Sequence, residues 1–273
     1  MNATHDPVTT AVIMARGLGT RMRADNAQSQ LSGDQAAMAA KGLKSMIDVG
    51  RPFLDHVISE AADAGIADVI LVIGPEHTEI REYYANLPME RVSVSFAIQE
   101  KPLGTGDAVH SAREAVGDRR FLLINSDNFY PTSVIAALAH TPGHSLAGFS
   151  KAGLVAKGNI EAERIAAFAL IETEGTELRE IHEKPNAGTI ARLGEDAPVS
   201  MNCFVFTPRI FDFTANLTPS SRGELEVQDA VRGALAAGGV FTVVPTDEGV
   251  LDLSSRTDIS SVVDALAAHE VTL

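Results

Sequence analysis

Ala11-Val12-Ile13-Met14-Ala15-Arg16-Gly17-Leu18-Gly19-Thr20-Arg21-Met22-Arg23 is the stretch whose reading decides the fold. The apolar run from Val12 to Met14 is long enough for a buried strand. It breaks into Gly17-Leu18-Gly19, where missing Cβ atoms let backbone amides approach a ligand. Thr20 adds a hydroxyl, and Arg21 adds a planar fork of donors that matches phosphate oxygens. Strand, glycine turn and cation together make a phosphate cradle. It is not a Walker loop, because no Gly-Lys-Ser/Thr follows at the required spacing, and the third glycine of the dinucleotide fingerprint is missing.

The run Gly17 to Met22 after a hydrophobic strand resembles the signature loop of sugar-1-phosphate nucleotidyltransferases, which wraps the triphosphate of the incoming nucleotide. The resemblance implies that Ala15, Arg16, Gly17, Gly19 and Thr20 lie along the nucleotide and that Arg21 acts on its phosphates. The family usually carries Ala or Gly where this chain has Arg16.

Whole-chain properties agree with such an enzyme. At 273 residues and 45% hydrophobic composition the chain can bury a large α/β core. A net charge of −14 argues against nucleic acid as the main partner. The single cysteine, Cys203, excludes an intramolecular disulfide, which makes the cytoplasm the expected compartment. Residues 1–7 lack the features of a secretory signal, and no uninterrupted apolar segment is long enough to cross a bilayer. The oligomeric state stays open, a homo-oligomer included.

Outward from the loop, residues 24–40 form a polar, then alanine-rich segment, longer than the family's usual connection. It reads as a flap over the nucleotide or an inert surface loop, with Asp34 capping a short helix over 35–40. Lys44-Ser45-Met46-Ile47-Asp48-Val49-Gly50-Arg51-Pro52 resembles the family's second landmark, a lysine before a Gly-Arg/Lys-Pro turn. The spacing is one residue short, so the resemblance implies Lys44 as the phosphate-binding lysine with Lys41 as its substitute. A helix over 52–64, a buried strand over 68–74, a helix over 76–87 and a strand over 92–98 follow. Alternating strands and helices predict a three-layer α/β/α, doubly wound, mostly parallel mixed sheet, whose ligands lie beyond the carboxyl ends of its strands.

Gln99-Glu100-Lys101-Pro102-Leu103-Gly104-Thr105-Gly106-Asp107-Ala108 resembles the family's base-reading loop. An amide such as Gln99 offers a donor and an acceptor together, a match for the imide edge of uracil or thymine. Gly104 and Thr105 are placed beside it. Uridine triphosphate is the first choice of nucleotide, with the thymidine, guanosine and cytidine triphosphates open. A helix over 108–116 leads to a central strand over 121–128 whose carboxyl end carries Asp127. An acid at the end of a buried strand suits a hard cation or caps the next turn; the resemblance assigns Asp127 to Mg2+.

The chain reads as one domain, with a nucleotide half over about 1–150 and a smaller antiparallel sugar-binding region in about 151–273. Strands are expected over 165–171, 178–181 and 239–244. Glu183-Lys184-Pro185 resembles the family's Glu-Lys-Pro motif, which implies Glu183 on the sugar hydroxyls and Lys184 on the sugar phosphate. Asn202 and Glu226, with Glu224 as its alternative, are implied sugar ligands. Asp252 aligns with the acid that completes the metal site, although the family's flanking Trp and Gly are absent. The resemblance thus implies an Mg2+-dependent transfer of a nucleotide to a sugar 1-phosphate. A non-catalytic sugar-nucleotide sensor is the more distant alternative.

Overall fold

A computed structural model describes residues 6–23, 31–166, 168–220 and 222–273. The flap expected over 24–40 lies partly outside the described residues. Its later portion is a helix, Gly33–Lys41, capped by Ser32 rather than Asp34. The Ser32 hydroxyl accepts from the Gln35 N–H at 3.2 Å while the Gln35 side chain returns to the Ser32 N–H at 3.1 Å. That reciprocal pair satisfies two orphan donors where Asp34 would meet one.

The strands, in chain order, are β1 (Thr10–Met14), β2 (Asp68–Ile73), β3 (Ser93–Ile98), β4 (Phe121–Asn125), β5 (Asn128–Phe129) and β6 (His144–Phe149). They are followed by β7 (Ala169–Glu174), β8 (Glu177–His182), β9 (Val199–Ser200), β10 (Phe204–Phe206), β11 (Phe241–Thr246) and β12 (Leu251–Asp252). Among the described residues, ten of these form one mixed sheet in the order β11-β8-β7-β9-β6-β10-β4-β1-β2-β3, with β11 also pairing β6. The neighbours β4, β1, β2 and β3 are all parallel. Every residue of β1 is buried. Its Ala11 and Ile13 join one core cluster and its Val12 and Met14 the other, because side chains alternate across a strand. Two buried faces require two helical layers. Helices Phe53–Asp63, Thr78–Asn86, Thr132–His140 and Asp258–Leu266 contribute to the first cluster. Thr105–Ser111, Arg113–Val116 and Val227–Ala236 contribute to the second.

One expectation is corrected. The strand expected from residue 165 begins at Ala169, because 162–165 form a short helix, Ala162–Ile165. The second half of the chain feeds back into the sheet of the first: β10 lies antiparallel between β4 and β6. The β7–β8 hairpin and β9 supply the antiparallel pairing expected there.

His144, at the start of β6, stacks on Phe241 with ring centroids 4.5 Å apart. Its Nδ1 accepts the Thr207 N–H at 3.2 Å, which requires a neutral ring, and its Nε2 meets the Thr207 hydroxyl at 3.0 Å. Burial, with Arg209 and Arg120 nearby, lowers its pKa from 6.5 to about 4. Above pH 6.5 neither the folded nor the unfolded chain protonates it. Between 6.5 and 4 the unfolded chain takes a proton that the folded one refuses, so stability falls as pH falls. A Tm profile should decline through that window, and His144→Gln should make the decline shallower; an unchanged slope would count against this account.

Candidate functional site

The carboxyl ends of β1, β3 and β4 open into a cleft of about 440 Å3. Ala15, Arg16, Gly17, Gly19, Thr20 and Arg21 line it along one side. Gly19 has φ +59°, and a Cβ there would lie 2.5 Å from the Gly42 carbonyl oxygen. Only glycine permits this approach, which sets residues 42–44 against the loop. Lys44, opening the short 3-10 helix Lys44–Met46, therefore faces the cleft, while Lys41 points away and pairs with Glu79 at 2.9 Å. The structure so separates the two lysines that the spacing left open.

At the far end Arg16 donates to the Gln99 carbonyl and faces Glu76 at 3.2 Å. Gln99, Gly104 and Thr105 also line the cleft. The Gln99 side chain differs from the expected donor–acceptor edge, because its nitrogen already donates to Gly104 O at 3.0 Å and Asp107 Oδ2 at 2.8 Å. Only its oxygen remains for a ligand. Gly104, at φ +124°, has Leu225 packed where a Cβ would go. The Gly106 N–H donates to Leu225 O, the Leu225 N–H to Leu103 O, and the Val227 N–H to the Thr105 hydroxyl.

A second cavity of about 280 Å3 adjoins the first, and Arg21, Thr105, Asn125, Asp127, Glu224 and Ser254 line both. Arg21 is exposed and makes no hydrogen bond or ion pair among the described residues. Asp127 pairs with Lys44, each side chain about one-fifth exposed. Its carbonyl accepts the Leu253 N–H at 2.9 Å, next to the β5–β12 pairing that sets Asp252 opposite Asn128. Asp252 lines the second cavity and is buried. Arg164 pairs with it, Asn128 donates to it at 2.9 Å, and Ser254 at 2.8 Å. Burial, and then the neighbouring Asp127 carboxylate, push the Asp252 carboxyl above the usual aspartate range. Two hard oxygen donors that repel each other and are each balanced by a cationic side chain fit a divalent cation, whose charge would relieve the repulsion.

Glu183, Asn202 and Glu226 line the second cavity. Glu226 pairs with Arg222 at 2.9 Å, and Arg222 also reaches Glu224 at 3.7 Å and Glu183 at 3.9 Å. Burial, and then Glu226, raise the Glu183 carboxyl above the usual glutamate range. Asn202 sits at φ +56°, sparsely populated for a residue with a Cβ, and its oxygen accepts from Gln228 at 2.9 Å. Lys184, at φ +45°, is exposed and lines neither cavity. Cys203 is buried, and burial raises its thiol. Sequence reasoning did not single out Asn128, Arg164, Arg222, Gln228 or Asp107. Asn128 closes the strand read over 121–128 and Arg222 stands two residues before Glu224, so both could have been weighed with those motifs. Arg164 gave no signal, since it reaches Asp252 from 88 positions away.

Comparison with known proteins gives the family and the fold. Residues 10–259 match the family model described as "Nucleotidyl transferase". A "UTP--glucose-1-phosphate uridylyltransferase 2" of Staphylococcus saprophyticus is 26% identical over 259 residues, covering 85% of this chain and 82% of that protein. A "Bifunctional protein GlmU" of Methanococcus vannielii is 28% identical over 238 residues, 85% of this chain, which spans about half (49%) of that protein's length. A solved UDP-glucose pyrophosphorylase complexed with UDP-glucose shares the fold at TM-score 0.74 and 17% identity, over 96% of this chain and 100% of that one. Among the described residues no helix is long and apolar enough to cross a membrane.

Proposed function

From the premise that the chain belongs to the nucleotidyl transferase family, we propose that it condenses a nucleoside triphosphate, UTP by preference, with a sugar 1-phosphate, releasing pyrophosphate. One observation carries the proposal. Arg21, Lys44 and Asp127 face a cleft of about 440 Å3 that continues, across Arg21, Asp127 and Glu224, into a cavity lined by Glu183, Asn202 and Glu226. The similarity to a UTP-dependent uridylyltransferase and the free Gln99 oxygen support UTP.

In this reaction an oxygen of the sugar phosphate attacks the α-phosphorus, a new P–O bond forms, and the α–β bridge breaks with its electron pair leaving on pyrophosphate. No covalent protein intermediate is required, so positioning and charge neutralisation carry the catalysis. The loop amides at Gly17 and Gly19 and the Arg21 guanidinium hold the triphosphate. Lys44 lies within reach of both the phosphates and Asp127. Glu183, Asn202 and Glu226 orient the sugar, and Lys184, next to Glu183 in the chain but outside both cavities, would reach the sugar phosphate only by a change of side-chain position. Asp127 and Asp252 would hold Mg2+, which would supply Lewis-acid neutralisation of the phosphate charge.

Pyrophosphate release screened over nucleoside triphosphates and sugar 1-phosphates with Mg2+ tests the reading. Turnover with no pair, in folded protein, would refute it and leave the sensor alternative. Arg21→Ala should lower kcat by roughly a hundredfold, as deletion of one preorganised donor does. A near-normal rate would remove Arg21 from the machinery.

A further inference from the structure

Gln99 follows directly on β3 and is only 3% exposed, yet it lines the larger cleft. A primary amide nitrogen carries two hydrogens, and here both are taken, one by Asp107 Oδ2 at 2.8 Å and one by Gly104 O at 3.0 Å. A backbone carbonyl and a carboxylate have no proton to return. The amide therefore has a single orientation, nitrogen inward and oxygen toward the cleft. Among the described residues that oxygen has no hydrogen-bond partner. Asp107 stands in the first turn of helix Thr105–Ser111, and among the described residues its carboxylate makes no other side-chain hydrogen bond.

We propose that Asp107 is a specificity-determining positioning residue: it locks the Gln99 amide carbonyl-outward, so that the cleft accepts bases whose ring edge carries an N–H and rejects those whose ring nitrogen is an acceptor. Uracil, thymine and guanine belong to the first class, cytosine and adenine to the second. The inference rests on the nucleotidyltransferase reading and adds to it the group that enforces the choice. An acceptor facing an acceptor in a buried slot leaves both unpaired, and sites built on such pairing discriminate strongly against the mismatched ligand. Gly104 O alone does not fix the amide, since an unrestrained side chain turned over would trade that one bond for a donor aimed at the base.

The test uses the full chain and its Asp107→Asn variant. Asparagine offers either an oxygen or a nitrogen to Gln99 and so permits both orientations. For the wild type, kcat/KM with UTP should exceed that with CTP by roughly a hundredfold or more. In Asp107→Asn that ratio should shrink about tenfold or more, mainly through KM, while kcat with UTP changes little. Calorimetric binding of UMP and CMP should give the same ratios without turnover. A helix-start carboxylate with no role in recognition would lower stability and leave both ratios alone, and that result overturns the proposal. Wild-type preference for CTP or ATP overturns it too, while leaving the reaction class intact. If no triphosphate turns over, the enzyme reading fails and the monophosphate binding ratio alone decides on Asp107; no binding of either overturns both. Asp107→Ser, which keeps an acceptor at the helix start but is too short to hold the amide, repeats the measurement should the asparagine variant fold poorly.

Discussion

Asp127→Asn is expected to lower kcat about a thousandfold, roughly 4 kcal/mol in the barrier. The substitution preserves shape and removes one charge, at an acid that pairs with the Lys44 ammonium and, like Arg21, lines both cavities. Two losses coincide. The proposed Mg2+ site gives up its more accessible carboxylate, because Asp252 is buried and already held by Arg164, Asn128 and Ser254. Lys44 also loses the partner that aims it. The backbone should be spared, since the Asp127 carbonyl, not its side chain, accepts the Leu253 N–H. The check is pyrophosphate release at saturating substrates over a series of Mg2+ concentrations, with folding verified by circular dichroism. A rate within tenfold of the wild type at any concentration would take Asp127 out of the chemistry.

Phe204→Ala should destabilise the fold by about 3–5 kcal/mol, the usual cost of emptying a buried aromatic site. For a chain of this size that corresponds to a Tm lower by roughly 10 °C. Phe204 is fully buried, stacks on Phe206 with centroids 5.1 Å apart, and pairs with Leu123 of β4 and Leu146 of β6. Strands on both sides and a helical layer above leave little freedom to collapse into the void. Urea unfolding measures the loss. A change under 1 kcal/mol would mean that the site refills, against the tight packing described.

The parallel core was readable because its strands are buried on both faces, so 11–14, 68–73 and 121–124 appear as near-continuous apolar runs. The glycine loop and the base-side loop were readable for a different reason. Gly19 and Gly104 occupy backbone regions that other residues avoid, and such positions leave a visible residue choice. What escaped was non-local. Three residues, Phe-Val-Phe, do not announce that they enter the middle of a sheet, and the match of Arg164 to Asp252 is a consequence of folding. Gln99 was read for what an amide offers in isolation; its commitment to Asp107 depends on a helix placing that carboxylate beside it. At residue 165 the expected start of the strand is instead the last residue of helix Ala162–Ile165, and the strand opens only at Ala169.

Because β10 enters between β4 and β6, synthesis itself acquires an order. A ribosome that has released the first 150 residues has exposed two strands with bare facing edges, and the filler is still some 50 residues away. Until it emerges, the nascent chain holds an open, apolar slot of the kind that invites pairing with another molecule. The sheet can therefore close over its middle only once the chain beyond residue 206 has been made.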